Sequence, residues 1–151
     1  MTKRIVYEWN KEDFIKAFNE MNLESSFKEI KGRNAVLVRV ANFDEMRCLF
    51  GLGRSCWAIA IEKRYWESYV SNKNRWQFVY LNFDVKECMD GSLFAFTYDP
   101  NEDIFINAAS RNNHPITRDN DKVSYILKFV LDCPLEIIKD MDLCLSNDNM
   151  E

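Results

Sequence analysis

Glycine and proline are scarce in this chain, four and three among 151 residues. A flexible linker draws on both, so no domain boundary suggests itself. The chain reads as one domain over 1–151, with 146–151 a polar, fraying tail. Histidine occurs once, as His114, and the five cysteines (Cys48, Cys56, Cys88, Cys133 and Cys144) include no CxxC pair. A tetrahedral metal site needs several such ligands at short spacing, so no metal site and no cofactor are expected. The odd cysteine count, with no secretory apolar segment behind Lys3 and Arg4, points to reduced thiols and a cytoplasmic protein. No apolar run approaches the ~20 residues of a membrane-spanning helix, so no membrane partner is expected. A strong charge of one sign is missing too. Net charge −4 and a pI near 5.2 argue against general nucleic-acid binding, which needs clustered Lys and Arg.

What the chain does have is apolar and aromatic residues, 47% and 14%, enough for a packed core. Residues 51–84 (GLGRSCWAIAIEKRYWESYVSNKNRWQFVYLNFD) hold three of the four Trp and three of the six Tyr. They read as strand 56–61, helix 63–71 and strand 76–83. Large side chains on both faces require cover on both sides, so the two strands are expected side by side in mid-sheet.

The rest of the chain supplies that cover. Residues 4–8 form a strand candidate. Asn10 is an N-cap with Asp13 at N3 and a Trp9–Phe14 staple, and Phe14, Ala17, Phe18 and Met21 share one helix face. Ser26 with Glu29 suggests a further helical turn ending at Gly32. Residues 35–41 (AVLVRVA) are a strand, in which Arg39 should face an edge, solvent or a site. Asn42 with Glu45 opens a short helix with Met46, Leu49 and Phe50 inward and Gly51 as its stop. Phe94, Phe96 and Tyr98, the turn at Asp99-Pro100-Asn101-Glu102, and then Ile104, Ile106 and Ala108 make a hairpin. A polar loop, 110–121, precedes a helix capped by Asp119 or Asn120. Its stripe is Val123, Ile126, Leu127, Val130 and Leu131. Pro134 opens a last helix with Leu135, Ile137, Ile138 and Met141. The fold class is therefore α+β, a mostly antiparallel sheet of five or six strands packed with N- and C-terminal helices.

Candidate chemistry is thin. A thiolate needs a neighbouring cation or imidazole, and Cys56, beside Arg54, with His114 is the one pair that supplies it. Against this, a lone Cys on a strand is more often a buried small hydrophobe. In helix 63–71, Trp66, Tyr69 and Val70 are expected in the core and Tyr65 outside. The basic residues at loops and element ends suggest a rim pocket for a nucleotide or other anion. Arg54, Tyr65, Arg75, Arg111, Asn112, Asn113, His114 and Arg118 are its candidates, with Trp57 beside them.

The succession SCWAIA, YWESYVSN, WQFVYLNF and SRNNHPIT, over 53–117, resembles a broad group of small phage and mobile-element proteins. In these a Trp-Cys or His-Cys motif precedes strand, helix and strand, with a late polar turn before Pro. The PcfJ-like proteins of conjugative elements are distant members. Here the pair reads Cys56-Trp57, the reverse order. The resemblance implies an accessory protein of a bacterial host's cytoplasm. The expected function is non-enzymatic binding and modulation of a host protein, a defence protein among the candidates. The alternatives are an enzyme using the rim pocket with Cys56 and His114, and a homo-oligomer with aromatic contacts.

Overall fold

Six strands form one sheet in the order in which the chain makes them. They are β1 (Ser26–Glu29), β2 (Ala35–Val40), β3 (Trp76–Asn82), β4 (Leu93–Asp99), β5 (Ile104–Ser110) and β6 (Pro115–Thr117). Every neighbouring pair is antiparallel. The computed structural model describes residues 10–51, 62–70, 75–86, 91–110 and 115–141. The expected strands at 4–8 and 56–61 and the tail 146–151 lie outside them. Helices come from both ends of the chain, so the fold is the expected α+β. They are α1 (Lys11–Glu20), α2 (Phe43–Met46) and α3 (Lys63–Val70), then α4 (Asn120–Tyr125) and α5 (Leu135–Lys139). A π-helical turn extends α2 over Arg47–Gly51, and another extends α4 over Ile126–Val130.

The sheet is covered on both faces. On the front, Val36, Val38 and Val40 of β2 and Val79 and Leu81 of β3 pack with Phe14 and Phe18 of α1, Met46 of α2 and Trp66 of α3. On the back, Leu37, Phe78, Tyr80, Phe96 and Phe105 pack with Val123, Leu127 and Ile138 from the C-terminal helices. Burying each large apolar side chain is worth ~1.5–3 kcal/mol, so these two layers dominate the stability. The strand 76–83 is central, as expected, but its neighbours are not. Residues Gln77–Asn82 pair with β2 and Trp76–Leu81 with β4, so neither edge is left for 56–61.

Helix starts follow the sequence closely. Asn10 Oδ1 accepts from the Asp13 N–H at 2.8 Å, Asn42 Oδ1 from the Glu45 N–H at 2.9 Å, and Asp119 Oδ1 from the N–H groups of Asp121 and Lys122. Each satisfies donors that a helix N-terminus leaves open. Glu45 does not fold back as a capping box would. Its carboxylate reaches Glu24 and Ser25 instead, taking both N–H groups at 2.8 Å and the Ser25 hydroxyl at 2.5 Å.

The scarcity of glycine reappears in the backbone. Among the described residues, the non-glycine residues at positive φ are Asn22, Asp103, Asn107 and Asp132, all Asn or Asp, the residue types that best tolerate the left-handed region without being glycine. Asn22 and Asp132 follow the ends of α1 and the α4 extension, and Asp103 closes the β4–β5 turn. Asn107 sits in a β-bulge, where the register shifts between Ala95 and Thr97. The extra residue puts Phe105 and Ala108, three apart, on the same back face, and leaves Ile104 and Ile106 half-buried. The simple alternation of Ile104, Ile106 and Ala108 is thereby corrected.

Three other expectations change. Ser26–Glu29 is a strand, not a helical turn, and Gly32 (φ 81°) occupies a turn between β1 and β2. There the Arg33 N–H donates to Ile30 O at 3.1 Å. The polar loop contains β6. Arg39 is neither at an edge nor in solvent. It is buried, its guanidinium 3.6 Å from the Trp76 ring centroid, and it donates to the carbonyl of Met141. An aromatic face and a carbonyl both favour the cation.

Candidate partner-binding surface

Of the residues proposed for a rim pocket, Arg54, Cys56, Trp57, Arg111, Asn112, Asn113 and His114 lie outside the described residues. The other three are not brought together. Arg75 enters β3 and its Nε lies 3.5 Å from Asp99 Oδ2, an ion pair across the β3–β4 ladder. Arg118 is exposed after β6, with β4 and β5 between it and β3, three strand spacings or about 14 Å away. Tyr65 is exposed on α3, with the Arg64 guanidinium 4.8 Å from its ring centroid, while Trp66 is in the front core as expected. The strand ends that bracket 111–114, Ser110 and Pro115, lie opposite Phe94 and Ala109. Arg75 adjoins Trp76, which pairs with Tyr98 at the other end of β4.

Arg75 belongs instead to a polar end of the front face. Gln77 and Thr97 are buried side by side. The Gln77 amide donates to the carbonyls of Phe78 and Phe96, and Thr97 receives Asn107 Nδ2 at 3.3 Å. Gln77 Oε1 and Arg75 Nε are buried without a hydrogen-bond partner among the described residues. Such exceptions cost stability, on the order of 1–3 kcal/mol for a neutral group. Gln77 and Thr97 are buried and the half-buried Arg75 is held by Asp99, so this cluster is packing, not a site.

The described cysteines are poor nucleophiles. Burial pushes the Cys48 thiol up, and the Cys133 thiol up to about 12. A reactive thiol needs the opposite shift. Among the described residues, no group of three or more His, Cys, Asp or Glu is placed to hold a metal ion. No helix there is long and apolar enough to cross a membrane.

The surface that stands out lies on the back of the molecule. Tyr125 is 60% exposed, Phe129 68% and Val130 56%. The two rings pack on each other with centroids 5.1 Å apart, one helical turn along. The Lys128 ammonium lies 5.4 Å from the Phe129 centroid. The π-helical turn produces this ridge. The Leu131 N–H donates to Ile126 O, five residues back, at 2.9 Å, and the Cys133 N–H to Leu127 O at 2.7 Å. A wider turn advances fewer degrees per residue, so the inward stripe lags along it. Val123 and Leu127 stay buried and Leu131 packs against the core, while Val130, expected in the stripe, is carried out into solvent.

Sequence reasoning missed the ridge because Val130 fits the stripe on paper. The visible signal was Tyr125 and Phe129, four apart and off that stripe. Beside Phe129 is a recess of about 180 Å³ running to the start of α5, with Asp132 and Glu136 among its lining. No protein-family model, curated protein or solved structure matches this chain.

Proposed function

We propose that this chain is a non-enzymatic binding module and that the Tyr125–Phe129–Val130 ridge is its docking face. The observation that carries this reading is the exposure of two aromatic rings in contact and a valine on one side of a well-packed helix. Apolar groups gathered in one exposed patch mark interaction surfaces far more often than scattered ones do. Aromatic side chains also supply a large share of interface hot spots. The resemblance to phage and mobile-element proteins names the kind of partner, a bacterial host protein met in the cytoplasm. The rim-pocket alternative draws nothing from the described residues, where Arg75 is paired with Asp99 and stands apart from Arg118.

The test uses the whole chain as bait in lysate of the host bacterium, wild type beside Phe129→Asp. A stoichiometric partner held by the wild type and lost by the variant, with matching thermal melts, is expected. A partner kept equally by both, or turnover of a metabolite by the purified chain, overturns the reading.

A further inference from the structure

Resting on that docking face, we infer that the recess beside Phe129 takes an arginine side chain of the partner. Its volume, about 180 Å³, is below that of a small-molecule pocket and suits one long side chain. Its lining has two characters. Phe129, Cys133 and Leu135 are apolar, whereas Asp132 and Glu136 are exposed carboxylates. The lining carries one Lys against one Asp and one Glu, and Arg33, which donates to the Val130 carbonyl at 3.3 Å, stands near Asp132.

An arginine answers each of these features. Its methylene stem covers apolar surface while its head stays polar. Its planar guanidinium stacks on an aromatic ring and meets carboxylates through paired N–H donors. Lysine has the charge without the plane or the fork. An apolar residue next to that arginine in the partner would cover Tyr125 and Phe129, so ridge and recess form one footprint.

The test is a titration of the isotope-labelled full chain, followed by NMR. The probes are N-acetyl-arginine methylamide and the citrulline analogue, which keeps the shape and loses the charge. Saturable shifts are expected at the amides of Phe129, Asp132, Cys133 and Glu136. Citrulline should bind roughly tenfold more weakly, the difference between a charged and a neutral hydrogen-bond donor. Asp132→Asn combined with Glu136→Gln should remove the preference for arginine. Equal binding of citrulline, no saturable shift, or an unchanged preference in the double variant overturns the inference. If the arginine probe fails while capture of a partner still depends on Phe129, the recess assignment falls and the docking face stands. If capture ignores Phe129, the docking face itself falls. A light-scattering mass that doubles with concentration, and returns to monomer in Phe129→Asp, would give the face to a second copy and overturn the arginine assignment.

Discussion

On the front of the sheet the helices turn Phe14, Phe18 and Trp66 inward and leave Tyr65 part-exposed, whereas on the back both Tyr125 and Phe129 point outward from a helix that is equally well anchored. The anchoring of that back helix comes from Val123 and Leu127, both fully buried against the strands. Its outer aromatics add nothing to that packing. An aromatic that faces inward is explained by folding alone, and one that faces outward is not. Stability and binding should therefore separate cleanly between the two populations. Phe78 is buried in the back core, stacked on Phe96 with centroids 5.2 Å apart. Phe78→Ala should cost ~3–5 kcal/mol in urea unfolding. Phe129→Ala should change stability by less than ~0.5 kcal/mol. Similar losses from the two substitutions would break the contrast.

The front face offers a second contrast, between its apolar and polar ends. Val79 and Ala95 form a ladder pair with nothing to satisfy, and two residues along Gln77 pairs with Thr97 and leaves Oε1 without a donor among the described residues. Gln77→Glu sharpens the point, because a carboxylate there is desolvated and turns an acceptor toward the Phe78 and Phe96 carbonyls to which the amide donates. Its pKa would rise above the unfolded value near 4.3, so stability should fall as pH rises from about 4. At pH 7 the loss should reach ~3 kcal/mol or more, and unfolding at pH 4 should recover most of it. A variant whose loss does not depend on pH would mean that a donor reaches this position.

Glu45 is the opposite case, a carboxylate fully supplied with donors. It ties α2 to the segment before β1 through Glu24 and Ser25, and the Ser25 hydroxyl in turn accepts from the Ala41 N–H at 2.9 Å. Glu45→Ala should cost ~2 kcal/mol, about the worth of one or two charge-assisted bonds. Amide exchange at Glu24 and Ser25 should accelerate more than at β3. Uniform acceleration would mean that the contact only adds to global stability.

The elements legible in the sequence were those set by neighbours in the chain. Asn10, Asn42 and Asp119 cap helices because the donors they satisfy are two or three residues away. The β4–β5 hairpin follows from Asp99 and Pro100 in the same way. Long-range choices left weaker marks. Ser26 and Glu29 have the spacing of a capping box, yet β2 draws that stretch into the sheet. The bulge at Asn107 and the π-helical turn at Ile126–Val130 each alter one step of the backbone, too little to disturb a periodicity read over five to seven residues. For the surface, that was decisive. Val130 kept its place in the apolar stripe on paper, and the ridge it helps to form went unread. The pairing of Arg75 with Asp99 joins two strands and was equally invisible.

The smallest effect concerns the thiol beneath the ridge. Cys133 is fully buried although it reaches the recess lining, and burial pushes its thiol from about 9 up to about 12. Below pH 9 the thiol is protonated both folded and unfolded, and contributes no slope. From pH 9 upward the unfolded chain ionises while the folded chain holds its proton, so stability falls as pH rises toward 12. By pH 10 the loss should be ~1 kcal/mol. Tyr98, pushed up to about 12 by burial and by its hydrogen bond to Asp103, acts in the same direction from pH 10. Cys133→Ala should lower stability by a constant amount at neutral pH and flatten the decline between pH 9 and 10, leaving the tyrosine's share above that. If the slope in that window is unchanged, the thiol is reached by solvent in the folded chain. The floor of the recess would then be open, which would undo the contrast between a sealed core and an exposed ridge one helical turn apart.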